Sequence, residues 1–177
     1  MIYLQKFSEE LLNHSIQQSA ARELLLYALF LEYGYDRLPE ITSDLQGKPF
    51  FADHPEIHFN YSHTRTAAAV GLSTRSIGVD VEALRSISAA VTRRICHAEE
   101  AAFLESIADE QRRQILLTKL WTAKEACGKC TGLGLRTDLR ENSLVEALET
   151  GRMRLADMEL TLTESEGLYL AVCEAVS

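Results

Sequence analysis

The sequence predicts an α+β fold made of two similar α+β halves, with the active site at their junction. Two stretches carry this prediction, because each reads as a strand, a polar turn and a strand of small residues. They are residues 57–73, IHFNYSHTRTAAAVGLS, and residues 158–174, MELTLTESEGLYLAVCE. Each closes a part of the chain that also contains helices. We therefore expect an N-terminal half, 1–84, and a C-terminal half, 85–177, related by a pseudo-twofold axis.

The composition is that of a soluble folded chain and excludes several classes of protein. Of the 177 residues, 46% are hydrophobic and 25% are charged. No run approaches the roughly 18 apolar residues of a membrane helix, so no membrane partner is expected. The 18 basic and 26 acidic side chains give a net charge of −8, which argues against a nucleic-acid partner. Any anionic ligand must meet a local cluster of cations.

The N-terminus and the cysteines indicate a reducing compartment. No basic segment followed by an apolar one stands at the start of the sequence, so a cytoplasmic location is expected. Cys127 and Cys130 form a CxxC pair, but no second pair and no helix start accompany it. The expected role of the cysteines is that of small buried thiols, and a metal or redox role is the less favoured alternative.

Periodicity places the elements in order along the chain. A helix is predicted within residues 16–33, with Ser19 as its N-cap and Gly34 at its end. The prolines make residues 36–56 mostly loop with short extended pieces. Strands are predicted at 57–61, 66–72 and 77–81, helices at 86–106 and 109–130, and a final hairpin at 159–163 and 168–172.

The first candidate site is the acidic strand GVDVE. Side chains alternate along a strand, so Asp80 and Glu82 project to one side while Val79 and Val81 enter the core. Two carboxylates placed in this way suit Mg²⁺, which takes one or two of them together with water and phosphate oxygens. The alternative is an exposed strand face that ends in acidic residues.

The second candidate site is the helical segment WTAKEACGK. Trp121, Glu125 and Lys129 are four residues apart and share one helix face. A carboxylate that binds a metal and an ammonium group that meets a phosphate would suit a pyrophosphate ligand. The alternative is an ordinary stabilising surface pair between Glu125 and Lys129.

Three weaker signals complete the set. Lys48 lies in a Gly-Lys-Pro turn that lacks the Walker A pattern. His63 ends a strand within NYSH and is either an anion contact or a turn residue. Glu99 follows a predicted helix start, where helix capping is the alternative to a site role.

The order of these motifs along the chain resembles that of the 4′-phosphopantetheinyl transferase superfamily, in particular its surfactin-type class of two fused halves. The resemblance covers residues 16–175. The pairing of GVDVE with WTAKEACGK is its specific part, and the GKP and NYSH segments support it. Three of the five lysines, Lys48, Lys124 and Lys129, lie in these motifs, which favours a local anion site.

The resemblance implies an enzyme that transfers the 4′-phosphopantetheine arm of coenzyme A to a serine of an apo acyl, peptidyl or aryl carrier protein. The reaction would depend on Mg²⁺ and release adenosine 3′,5′-bisphosphate. It implies that the metal ligands are Asp80, Glu82 and Glu125, that the coenzyme A contacts are Arg22, Lys48, His63 and Lys129, and that the general base is Glu125 or Glu99.

Two other functions use the same residues. One is a non-catalytic module of the same fold that binds coenzyme A or a partner protein. The other is a Mg²⁺-dependent hydrolase of nucleotide diphosphates. Since two fused halves can share one site within a single chain, a monomer is expected.

Overall fold

The computed structural model describes residues 1–134 and 140–176. Its helices are α1 (His14–Tyr33), α2 (Ala89–Ile95), α3 (Ala98–Ser106), α4 (Glu110–Thr131) and α5 (Val145–Thr150). Its strands are β1 (Ile2–Lys6), β2 (Ile41–Ser43), β3 (Pro49–Phe51), β4 (His58–His63), β5 (Ala67–Ser73), β6 (Ile77–Ala83), β7 (Arg152–Leu155), β8 (Met158–Ser165) and β9 (Leu168–Ala175). The mixture of helices and antiparallel sheets confirms the predicted α+β class.

The first long helix, α1, ends at Gly34, as the sequence predicts, but begins earlier than expected. Gly34 takes the left-handed conformation at φ 75°, which closes the helix and needs a residue without a Cβ. The predicted N-cap at Ser19 is wrong. Asn13 is the cap, because its side chain accepts a hydrogen bond from the backbone N–H of Ser15 at 2.9 Å.

The strands form two larger antiparallel sheets and one small hairpin. The first sheet has the order β1-β5-β4 and the second has the order β6-β9-β8-β7, while β2 pairs with β3. The predicted hairpins are therefore β4–β5 and β8–β9. Each sheet carries one long helix, α1 on the first and α4 on the second, and the apolar cores lie between helix and sheet.

Small residues on β5 allow the two sheets to meet. Ala67 and Ala69 pack against Ile77, Val79 and Val81 of β6. The division at residues 84 and 85 and the pseudo-twofold relation stay predictions. The strand before that division, β6, hydrogen-bonds to β9, which lies beyond it.

Hydrogen bonds from the NYSH segment join β4 to β6. The Asn60 side-chain oxygen accepts from the backbone N–H of Val79 at 2.9 Å, and the Ser62 hydroxyl donates to the Asp80 carboxylate at 2.8 Å. These bonds join the polar residues of β4 in the first sheet to the acidic strand β6 of the second sheet. The predicted site residue Asp80 thus lies at the junction of the two sheets.

The predicted helix at 86–106 is two helices. Cys96 and His97 interrupt it, because His97 begins α3 with a capping box that involves Glu100. No helix within residues 1–134 and 140–176 is long and apolar enough to cross a membrane.

Candidate active site

Asp80 is the central carboxylate of the site. It is only 5% exposed, on the strand β6 between the two sheets. Its Oδ1 accepts hydrogen bonds from the Ser62 hydroxyl at 2.8 Å and from the Lys129 ammonium at 2.6 Å. Its Oδ2 is buried and has no hydrogen-bond partner among the described residues. Half of this carboxylate is therefore free to bind a ligand.

Glu125 reaches the same place from α4. The helix lies directly on β6 at Gly78, where a Cβ atom would overlap the carbonyl oxygen of Ala126. Glu125 Oε1 is also buried without a hydrogen-bond partner in the described chain. Burial raises the pKa of Glu125, and the charge of Asp80 raises it further. The two carboxylates thus repel each other across the contact between helix and strand.

Glu82 is the third acidic residue, and it already has partners. Burial and the charge of Asp80 raise its pKa, while Arg85 and Trp121 oppose the shift through hydrogen bonds. The Arg85 guanidinium lies 2.6 Å from Glu82 Oε1 and 5.2 Å from the centre of the Trp121 ring. Arg85 also lowers the pKa of Glu125 through its charge. One arginine therefore balances part of the acidic cluster.

The donor set fits a hard cation completed by other ligands. Within residues 1–134 and 140–176, no group of three or more His, Cys, Asp or Glu side chains could hold a metal ion by itself. Mg²⁺ needs fewer, since it keeps waters and phosphate oxygens in its shell. The buried carboxylate oxygens of Asp80 and Glu125, which lack hydrogen-bond partners among the described residues, are the kind of ligand that Mg²⁺ takes.

Two lysines lie beside the acidic cluster. Lys129 bridges Asp80 and the carbonyl oxygen of Val79, at 2.6 and 3.1 Å, and its side chain is 27% exposed. Lys48 donates to the Ser76 hydroxyl at 2.6 Å and to the Cys130 carbonyl at 2.7 Å. Burial lowers the pKa of Lys48. Both lysines line a pocket of about 380 Å³, which we call the lysine pocket.

His63 faces the same cluster from the end of β4. Its Nδ1 lies 3.3 Å from the side-chain oxygen of Gln17 on α1, and its ring stacks edge-on against His14 at 5.0 Å. Burial lowers the pKa of His63, and the charges of His14 and Lys129 lower it further against the opposing effect of Asp80. His63 is therefore kept neutral near the cations.

Comparison with known proteins identifies the family. A sequence profile of the 4′-phosphopantetheinyl transferase superfamily matches residues 76–173, a stretch that includes the acidic strand and α4. The chain belongs to this superfamily.

Individual relatives agree with the family assignment. The chain is 31% identical over 138 residues to the 4′-phosphopantetheinyl transferase HetI of Nostoc sp., covering 75% of this chain and 51% of HetI. It is 31% identical over 134 residues to the transferase psf-1 of Bacillus pumilus, covering 72% and 57% of the two chains. It is also 31% identical over 93 residues to the transferase Sfp of Bacillus subtilis, covering 52% and 41%.

These matches support the surfactin-type class of the superfamily. The chain spans about half the length of the curated relatives that it matches.

Lys124 does not contribute to the anion site that the motifs predicted for it. Its ammonium forms an ion pair with Glu100 at 2.9 Å, and the two side chains are 3% and 0% exposed. Glu100 also accepts from the backbone N–H groups of His97 and Leu144, at 2.7 and 2.8 Å. Lys124 therefore belongs to the core, and the expected set of three site lysines is reduced to Lys48 and Lys129.

Glu99 and Arg22 lie outside the cluster of contacts. The Glu99 side chain is 71% exposed, and its contacts are with His97 at the start of α3. Arg22 is exposed on α1. No contact of either residue with Asp80, Glu82 or Glu125 is found in the described parts of the chain. Their roles in the superfamily site stay predictions.

Sequence reasoning missed two residues of the site and one buried carboxylate of the neighbouring core. The NYSH segment alone does not indicate a role for Ser62, whose hydroxyl donates a hydrogen bond to Asp80. Arg85 lies three residues after Glu82, a spacing that could have indicated their ion pair. Glu100 fills the third position of the capping box that starts at His97, a signal that points to the buried carboxylate of the Glu99-Glu100 pair.

Proposed function

We propose that this protein transfers the 4′-phosphopantetheine arm of coenzyme A to a serine of an apo carrier protein, with Mg²⁺ as cofactor. Membership of the superfamily supports this class of reaction. The observation that carries the proposal is the pair of unpartnered buried oxygens on Asp80 and Glu125, beside the ammonium of Lys129.

Asp80, Glu82 and Glu125 are the residues that would hold the metal. A bound Mg²⁺ would neutralise the diphosphate and the charge that develops on the departing bisphosphate. The unpartnered oxygens of Asp80 and Glu125 are available for this role without breaking a hydrogen bond. Glu82 would have to share its carboxylate with Arg85.

The cations on the other side of the site would hold the phosphates. Lys129 is partly exposed and can turn from the Asp80 carboxylate towards a phosphate oxygen. Lys48 is fixed by Ser76 and Cys130, so it presents its charge from a rigid position. His63 can donate one hydrogen bond as a neutral ring, and Arg22 is the proposed contact from α1.

Glu125 is the stronger candidate for the general base. A carboxylate whose pKa is raised by burial accepts a proton more readily at neutral pH than an ordinary one. The serine hydroxyl of the carrier must approach within hydrogen-bond distance for the transfer. Glu99 remains the second candidate, and its exposure would let it act only if the carrier covers it.

The test is a transfer assay followed by intact-mass measurement of the carrier. The protein is incubated with coenzyme A, Mg²⁺ and several apo acyl, peptidyl and aryl carrier proteins. We expect at least one carrier to gain the mass of the phosphopantetheine arm. Asp80→Asn should lower the rate by about a hundredfold or more, since it removes a charge from the metal site. The exposed Asp53→Asn should leave it unchanged.

The other outcomes distinguish the alternatives. Binding of coenzyme A without transfer to any carrier would favour a non-catalytic module. Release of adenosine 3′,5′-bisphosphate in the absence of a carrier would favour a diphosphate hydrolase. Transfer at the wild-type rate by Asp80→Asn would contradict the assignment of the site.

A further inference from the structure

Three of the four cysteines lie together where α4 rests on the second sheet. Cys127 and Cys130 are three residues apart on α4 and share a helix face. Cys173 lies on β9, directly opposite Gly78 in the strand register. A Cβ on Gly78 would lie 3.0 Å from the Cα of Cys130, so the backbone of the helix at Cys130 sits on the strand next to Cys173.

Cys130 and Cys173 have different surroundings. The Cys130 thiol donates to the carbonyl oxygen of Ser76 at 3.4 Å, and Cys173 Sγ lies 3.6 Å from the Met158 sulfur. Hydrogen bonding from Cys173 and the charge of Lys48 lower the pKa of Cys130 to about 7 against the effect of burial. Hydrogen bonding with Cys127, then with Cys130, and burial raise the pKa of Cys173. Of the two thiols, Cys130 is therefore the one that ionises more easily.

Cys130 is also accessible from a cavity. It lines a pocket of about 310 Å³ together with Lys48, Ser76 and His58. A small oxidant such as hydrogen peroxide could approach the sulfur through this pocket, although the residue is buried from bulk solvent. Cys96 offers the contrast, because burial and the charge of Glu100 raise its pKa to about 11.

We propose that Cys130 is a hydroperoxide-reactive thiol and that its oxidation ends in a disulfide with Cys173. This proposal concerns a modification site and does not depend on the transfer reaction. It rests on the strand register and helix packing that place Cys130 beside Cys173, on the Lys48 ammonium held by the Cys130 carbonyl, and on the pocket that Cys130 lines.

The chemistry takes place in two balanced steps. The Cys130 sulfur attacks one oxygen of the hydroperoxide, the O–O bond breaks, and a sulfenic acid and one molecule of water or alcohol are formed. The Cys173 thiol then loses its proton as its sulfur attacks the Cys130 sulfur, the S–O bond breaks, and the departing hydroxide takes up that proton and leaves as water. Overall the two thiols lose two hydrogen atoms and two electrons, and the hydroperoxide is reduced.

The disulfide would form next to the two lysines that line the lysine pocket. Lys48 is held by the carbonyl oxygen of Cys130, and Lys129 is the residue before it in the chain. A covalent bond from Cys130 to Cys173 on β9 would therefore fix the part of α4 that carries Lys129 and holds Lys48.

Peptide mapping of the oxidised full chain tests the proposal. The protein is treated with a small excess of hydrogen peroxide, its remaining thiols are alkylated during denaturation, and the cross-linked peptides are identified by mass. We expect a Cys130–Cys173 link that a thiol reductant reverses, with Cys96 still free. In Cys173→Ala we expect a Cys130 sulfenic acid that dimedone traps. A link from Cys127 to either neighbour in place of Cys130–Cys173, or oxidation of Cys96 at the same rate, would overturn the proposal.

The rate of alkylation gives an independent measurement. With iodoacetamide at neutral pH, Cys130 of the native protein should react at least about tenfold faster than Cys96. Lys48→Met should lower the Cys130 rate several-fold, while Lys6→Met, a change at an exposed lysine paired with Glu166, should not. Should Lys48→Met fail to fold, the comparison of the two cysteines in the wild-type chain still decides, and equal rates would refute the proposal.

Discussion

At the scale of single residues, the site combines satisfied and unsatisfied charges. Glu100 is completely buried, but Lys124 and two backbone N–H groups use its oxygens, so it supports the fold. Asp80 and Glu125 each keep one buried oxygen without a partner. A buried polar atom without a hydrogen bond costs about 1–3 kcal/mol of stability. The cost falls on the residues that the proposed reaction requires.

The raised pKa of Glu125 leads to a prediction about stability and pH. A carboxyl whose folded pKa lies above its unfolded value binds more protons in the folded state, so the free energy of unfolding falls as the pH rises from the unfolded towards the folded value. The destabilisation is complete above the folded pKa and absent below the unfolded one. Glu125→Gln should therefore raise the melting temperature near pH 8, by about 2–4 °C, the shift that about 1 kcal/mol gives in a chain of this size.

Differential scanning calorimetry at pH 4 and pH 8 measures this effect. The gain should be much smaller at pH 4, where the wild-type carboxyl is mostly protonated in both states. Glu9→Gln, a change at an exposed carboxylate in a loop, is the matched control and should shift neither value. Equal gains at the two pH values would mean that repulsion of the Glu125 charge is not the cause.

At the scale of elements, periodicity predicted the parts of the chain that bury one face. The helix up to Gly34, the β4–β5 hairpin and the β8–β9 hairpin follow from apolar patterning and turn residues. The strand β1 was missed because its burial pattern is mostly exposed, and its pairing with β5 depends on a distant part of the chain. Local patterns contain no information about such a partner.

The site shows the same limit of sequence reasoning. Spacing placed Asp80 on a strand face and Glu125 on a helix face, the family resemblance implied that they share a site, and the structure brings them together. Spacing could not predict that Lys124, inside the same motif, points to Glu100 and not to the lysine pocket. Periodicity alone does not decide which of the adjacent Glu99 and Glu100 is buried, since a helix turns by only about 100° between neighbours, whereas the capping-box position of Glu100 does indicate it.

The contact between α4 and β6 makes Gly78 a sensitive position. In Gly78→Ala the new Cβ would overlap the backbone oxygen of Ala126, which can move only if the whole helix moves. In Gly71→Ala the Cβ would meet side-chain atoms, at 2.6 Å from Val79 Cγ2 and 2.8 Å from Ile77 Cδ1, which can rotate away. We expect Gly78→Ala to lower the free energy of unfolding by about 3 kcal/mol or more and Gly71→Ala by about 1 kcal/mol.

Urea unfolding followed by circular dichroism compares the two alanine variants. A larger loss of unfolding free energy for Gly71→Ala would show that the contact between the sheets is tighter than the contact of α4 with β6. In the absence of urea, Mg²⁺ with coenzyme A should raise the melting temperature of Gly78→Ala less than that of the wild-type chain, because a displaced α4 separates Glu125 from Asp80.

At the scale of the whole molecule, the net charge repels an anionic ligand, whereas the lysines of the site attract it. The chain carries a formal charge of −8, which repels coenzyme A at long range. The β2–β3 hairpin supplies Lys48, the first sheet supplies His63, and the second sheet with α4 supplies Asp80, Glu125 and Lys129. A ligand that spans this junction would connect the two sheets, so its binding should be visible as stability of the entire fold.

Thermal melting with both proposed ligands tests this connection. A ligand that binds only the folded state at about a hundred times its dissociation constant stabilises it by about 2.7 kcal/mol, roughly 5–10 °C for this chain length. We expect Mg²⁺ alone to shift the melting temperature little, because Asp80 and Glu125 offer it an incomplete shell. We expect Mg²⁺ and coenzyme A together to exceed the sum of their separate shifts, since each completes the binding site of the other. Lys129→Met should remove most of this excess, while Lys6→Met should keep it. Shifts that simply add would mean that the carboxylates and the lysine pocket bind their ligands as separate sites.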